Sequence, residues 1–257
     1  MVSSLSLAGI IFSLLVSFLL PIGLIIYARK KYSVNFSTIA VGALVFFVFV
    51  LVLESFLHLY VLKLNPTTKA LMENPWMYSI YGGLAAGIFE EVGRFIAFKF
   101  FLKKHHQWKG GFAYGIGHGG IEAILISGFT AINNLIYSIL INKGTFDSLI
   151  GSKLPASTAK QLKSSLIDTH WSLFYISGIE RCFALAIQIG LSILVVYAIK
   201  NRKYMYLLIA ILIHALIDFP VGLAQKNVLN LWVVEAVVFF ACIVSICWIR
   251  KSKKYLI

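Results

Sequence analysis

The sequence predicts an all-α fold: a polytopic membrane helix bundle of about seven transmembrane helices, forming one integral membrane domain over residues 1–257. Three observations predict it. Hydrophobic residues make up 60% of the chain and charged residues only 13%, outside the range of a soluble domain. Apolar runs of about 20 residues, long enough to cross the hydrocarbon layer, recur along the whole chain. Basic residues collect at alternate ends of those runs, as they do in membrane proteins of fixed orientation.

The spans fall near 5–28, 36–62, 77–101, 110–142, 170–199, 204–224 and 228–249. The net charge of +13 is a topology signal. Fourteen of the 23 Lys and Arg residues lie on one side: Arg29 to Lys31, then Lys99, Lys103, Lys104 and Lys109, then Lys200, Arg202 and Lys203, then Arg250, Lys251, Lys253 and Lys254. That side is read as cytoplasmic, which places the N-terminus outside and the C-terminus inside a cell membrane. The clusters suit anionic lipids at the cytoplasmic face, and nucleic acid is excluded as a partner. The three cysteines, Cys182, Cys242 and Cys247, form no CxxC and no even set, which argues against a disulfide framework or a thiolate metal site.

The first span is almost purely apolar, with Pro21 as an expected kink. It has no basic n-region and no small-residue cleavage site, so it reads as a retained helix. The second carries Glu54 and His58 near its outer end, a spacing that suits a structural pair. The third, Tyr81 to Phe100, holds Glu90, Glu91 and Arg94 in an apolar run. Charges at mid-membrane depth cost about 2.5–3.5 kcal/mol each on insertion scales, so three within five residues need a partner surface. At about 100° per residue, Gly83, Gly87, Glu90, Glu91 and Arg94 share an arc of about 100°. The glycines form a small-xxx-small seam for close helix approach, so the charged face looks into the bundle. Arg94 reaches both glutamates at i+3 and i+4.

The turn Lys103 to Lys109, with His105 and His106, reads as a solvated basic turn at the lipid surface. The fourth span opens GGFAYGIGHGGIEAIL. Gly111, Gly115, His118, Gly119 and Glu122 share one face, again within about 100°. The long outer loop includes Thr158 to Leu166, a candidate amphipathic helix lying on the membrane. The fifth span carries Glu180 and Arg181, with Ser177, Ala184 and Gln188 on the same arc. The sixth has His214 and Asp218 at i, i+4, followed by Pro220. The seventh carries Glu235 near its outer boundary, read as structural.

Seven of the ten acids thus fall inside spans. Counted from the nearer span end at about 1.5 Å per residue, Glu90, His118, Glu180 and His214 lie within a few ångströms of mid-depth. Four helices therefore bring carboxylates, imidazoles and guanidiniums to one layer. Two function classes use such a layer: a hydrolase that holds water inside the membrane, and a proton- or ion-coupled transporter. The chain shows no internal repeat of the transporter kind.

FEEVGR, then GIGHGGIE, then HALID, in that order on separate helices, resemble the YhfC-type membrane peptidases. These are similar to the glutamic intramembrane proteases of the CAAX-processing, bacteriocin-processing and PrsW types. The resemblance implies an intramembrane endopeptidase acting on a membrane protein or peptide. It implies Glu90 as the water-activating carboxylate, His118 as the histidine that helps hold the water, and His214 as the oxyanion-stabilising histidine. Glu91, Arg94, Glu122, Glu180, Arg181 and Asp218 complete the candidate set. Two departures stand out. Arg94 follows as EExxR rather than EExxxR, and Asp218 stands where that group has Asn. An ionised Asp cannot donate to an oxyanion, so Asp218 is either protonated or orients His214.

One Glu and two His also form the ligand set of some zinc hydrolases. There is no HExxH helix, and Arg94 beside the glutamates competes with a divalent cation. The expected site therefore has no cofactor, with zinc and a metalloprotease mechanism as the alternative.

Overall fold

The computed structural model describes residues 1–257. It consists of helices and connecting turns, with no strand. In chain order, α1 is Ser4–Tyr32, α2 Phe36–Leu64, α3 Pro66–Leu71 and α4 Pro75–Ile96. Then come α5 Trp108–Asn142, α6 Phe146–Leu149, α7 Ala156–Ile167, α8 Trp171–Lys200, α9 Met205–Gln225 and α10 Leu231–Ser252. Six helices are long and apolar enough to cross a membrane: α1, α2, α5, α8, α9, and α10 with its extension to Tyr255. The seventh expected span is α4, prolonged by a wider turn through Phe101. It has the length, but Glu90, Glu91 and Arg94 keep it too polar to join the six.

Local chemistry explains the helix starts. Asn65, Asn74 and Asn230 accept hydrogen bonds from backbone N–H groups in the first turns of α3, α4 and α10, satisfying donors that have no partner within the helix. Pro66 and Pro75 follow two of these caps, where a missing N–H does no harm. Pro21 and Pro220 lie inside α1 and α9, and both helices continue through them. Parts of α2 and α5, over Phe47–Glu54, Tyr60–Leu64 and Ala123–Gly128, are wound wider than an α-helix.

The chain divides into two compact units: residues 1–22 with 122–182, and residues 23–121 with 183–257. In the first, Val2, Ile10, Ala131, Ile141, Phe146, Ala159 and Leu166 form one apolar cluster. The expected loop helix is therefore α7, but its apolar side faces this cluster through Ala159 and Leu166. In the second, α4 and α9 pack along the expected glycine seam. A Cβ on Gly83 would stand 2.5 Å from the Ala215 carbonyl oxygen, and one on Gly87 2.6 Å from that of Ile211. The seam of α5 against α8 is as tight: a Cβ on Gly115 would lie 2.5 Å from Ile189 Cα.

Candidate functional site

Close packing places the polar faces of α4, α5, α8 and α9 together in the second unit. Glu90, Glu91 and Arg94 come from α4, His118 from α5, Gln188 from α8, and His214 and Asp218 from α9. Glu91, Arg94 and His118 are 0% exposed, and Glu90, Gln188 and His214 are 4–6% exposed. Buried charges of this kind persist only when paired.

Arg94 is the hub. Its Nη1 donates to Glu91 Oε1 at 2.6 Å and its Nη2 to Glu90 Oε2 at 3.1 Å. Nη2 also donates to the Gln188 side-chain oxygen. Glu90 Oε2 accepts two further bonds, from His118 Nε2 at 2.8 Å and from Gln188 Nε2 at 3.1 Å. His214 Nδ1 donates to Glu91 Oε1 at 2.7 Å. Carboxylates only accept, so the facing imidazole nitrogens carry the hydrogens. The other edge of His214 differs. Its Nε2 stands 3.7 Å from Glu90 Oε1 and 3.5 Å from Asp218 Oδ2. Two oxygens of one carboxylate thus have distinct surroundings: Oε2 takes three N–H donors, while Oε1 faces His214.

Aromatic rings fix His118 in place. Phe46 meets it edge-on at 5.2 Å, and Tyr114 stacks on it at 5.9 Å between centroids. His118 Nδ1, Glu91 Oε2 and the Tyr114 hydroxyl are buried without a hydrogen-bond partner. Such orphans are rare in folded proteins and mark places with a role besides packing.

The structure therefore brings together Glu90, Glu91, Arg94, His118, His214 and Asp218. Glu122, Glu180 and Arg181 lie in the first unit and pair with each other: Arg181 reaches Glu180 Oε1 at 2.6 Å and Glu122 Oε1 at 3.4 Å. Glu54 pairs with His58 at 3.2 Å, and His58 bonds the Tyr81 hydroxyl at 2.7 Å. Gln188 is the site residue that sequence reasoning left out. Its one signal was its place on the polar arc of the fifth span.

Fold and site together define a polytopic membrane protein with a buried, mid-helix cluster of carboxylates, imidazoles and a guanidinium. The chain belongs to the YhfC family: residues 16–239 match the family profile described as YhfC intramembrane metalloprotease. The membrane protein YhfC of Bacillus subtilis (strain 168) is 44% identical over 240 residues, covering 93% of each chain. No solved structure matches this chain.

The family description implies a metal, and the donor arrangement can be tested against one. Ligands about a tetrahedral zinc, at bonds of about 2.0–2.2 Å, stand roughly 3.3–3.5 Å apart. His118 Nε2 and Glu90 Oε2 are 2.8 Å apart, a hydrogen-bond distance, and Arg94 and Gln188 hold the same oxygen. No three His, Cys, Asp or Glu side chains stand in ligand geometry. As placed, His118 and Glu90 Oε2 form a hydrogen-bonded pair rather than two ligands of one tetrahedral metal, whereas His214 Nε2 stands 3.5 Å from Asp218 Oδ2 and 3.7 Å from Glu90 Oε1, near ligand spacing.

Proposed function

We propose that the chain is an intramembrane endopeptidase that hydrolyses a peptide bond of a membrane-embedded or membrane-adjacent substrate, with Glu90 as the general base. The observation that carries this reading is the asymmetry of the Glu90 carboxylate. Three donors clamp Oε2, which aims Oε1 at the edge of His214. A water at about 2.8 Å from both Oε1 and His214 Nε2 would be held for attack. Glu90 takes a proton from that water as its oxygen adds to the substrate carbonyl carbon. His214, among the carboxylates of Glu90, Glu91 and Asp218, acts as an N–H donor from both nitrogens. Its Nε2–H then faces the developing oxyanion. The C–N bond breaks as the proton passes from Glu90 to the leaving nitrogen. Asp218 serves here by holding His214 in charge and orientation.

The reading takes the site to work without a resident metal, and it places the basic helix ends in the cytoplasm with the N-terminus outside. The test is to reconstitute the protein in liposomes and assay one preparation for cleavage of membrane-peptide substrates and for proton flux. The expected result is new peptide termini, unchanged by 1,10-phenanthroline, with no flux above that of empty vesicles. Flux without cleavage points to the transporter class. Cleavage lost to the chelator and restored by stoichiometric zinc makes the enzyme a metalloprotease and overturns the step assigned to Glu90.

A further inference from the structure

We propose that the mouth where α2 and α5 begin is a binding site for a phosphate-bearing anion, separate from the Glu90 cluster and independent of the peptidase reading. A cavity of about 280 Å³ opens there, and Asn35, Thr38, Lys104, His105, Gln107 and Lys109 line it. No acidic residue contributes to its wall. Both helices begin at this cavity and turn the positive ends of their dipoles towards it. The Trp108 and Gly110 N–H groups of α5 are already bonded to the Leu256 and Gln107 carbonyls, and that of Thr38 to the Asn35 carbonyl, so the helix ends contribute chiefly through their dipoles. Asn35, at the cap of α2, makes no side-chain bond to the helix backbone. Its amide is therefore not committed to capping.

The second observation is independent of the helix ends. Thr38 is 1% exposed and lines the cavity, and its Oγ1 has no hydrogen-bond partner. A threonine on a helix ordinarily donates to a carbonyl one turn back. A buried hydroxyl that does not is placed to donate to a ligand. Two lysines, a hydroxyl donor and two helix N-termini on an acid-free wall form a recognition set for phosphate oxygens.

A neighbouring hollow of about 460 Å³ shares Gln107 and Lys109 with this cavity and is walled by Tyr32, Trp108 and Leu256. Aromatic side chains of this kind sit at the headgroup level of a bilayer. The charged cavity thus adjoins a surface suited to the glycerol and upper acyl region of a lipid. The shared chemistry is the phosphate group, carried either by a lipid headgroup or by a free anion.

The experiment uses the full chain in phosphatidylcholine nanodiscs. Phosphatidic acid is titrated in and counted by native mass spectrometry; inorganic phosphate is titrated in parallel and followed by phosphorus NMR. Saturable binding of one equivalent is expected. Losing one hydrogen bond to a charged group should weaken binding about tenfold or more in Thr38→Val, and Thr38→Ser should restore it. The exposed pair Lys104→Gln/Lys109→Gln should weaken binding similarly without changing the thermal unfolding midpoint, which covers the case in which Thr38→Val fails to fold. Binding of phosphatidic acid alone assigns the site to a headgroup, of phosphate alone to a free anion, and mutual competition to the phosphate group itself. Equal weakening in the control pair Arg202→Gln/Lys203→Gln, no effect of the cavity variants, or binding of an acidic peptide where neither probe binds overturns the proposal.

Discussion

At the residue scale, the defining feature is a carboxylate whose two oxygens are treated differently. Glu90 Oε2 is held by Arg94, His118 and Gln188, and this orients the whole side chain. Gln188 both accepts from Arg94 and donates to Glu90, so no apolar residue can replace it without leaving buried groups unpaired. Gln188→Leu is expected to lower kcat with little change in KM. It should also cost about 1–3 kcal/mol of stability, the penalty of an unsatisfied buried group, as read by denaturant unfolding in detergent. Arg94→Met should cost more, about 3–5 kcal/mol, because it strands two buried carboxylates. If Arg94→Met unfolds at the same denaturant midpoint as the parent, the guanidinium is not the hub described here. Glu90, Glu91 and Arg94 were legible in the sequence because i+3 and i+4 spacing alone brings them together. Gln188 was not, because its partners lie about ninety residues away and only the register of α8 against α4 and α5 brings them within reach.

At the element scale, glycine seams set that register. Backbones approach across Gly83 and Gly87, and again across Gly111, Gly115 and Gly119, so closely that a side chain would meet the opposite helix. Gly115→Leu is expected to push α8 from α5, cost about 1–3 kcal/mol or more by overpacking, and misplace Gln188 relative to Glu90. Loss of both folded yield and activity, measured by size-exclusion recovery and cleavage rate, checks this. Wild-type behaviour in that variant would show the seam to be loose. These seams were readable because small residues at a spacing of four are a local pattern. The wide turns of α2, α4 and α5 were not readable. They arise where a helix accommodates an extra residue against its neighbours, and no composition signal marks them. The packing of α7 was half readable: its amphipathic period gave the helix, but only the fold supplied the apolar cluster that Ala159 and Leu166 join, with Ala131 and Ile141 of α5 among its members.

At the scale of the whole molecule, the fold is a bundle of spanning helices in which α4 is the polar one. Its three charges lie on a buried face with Gly83 and Gly87, while Ile80, Leu84 and Ile88 on the other face are exposed. The basic clusters on one side predict that a cysteine replacing Lys251 reacts with a permeant maleimide but not with an impermeant one added to whole cells; labelling by the impermeant reagent would reverse the topology. The central claim rests on Glu90 as the base. One measurement addresses it: cleavage of a verified substrate by the reconstituted Glu90→Gln protein, beside the parent and with the folded state of both checked by thermal unfolding. Gln keeps the shape and can still bond at Oε2's position, but it cannot take a proton from water. The account predicts a rate about 10²–10⁴-fold lower with the protein still folded. A Glu90→Gln protein that cleaves at the parent's rate would contradict it.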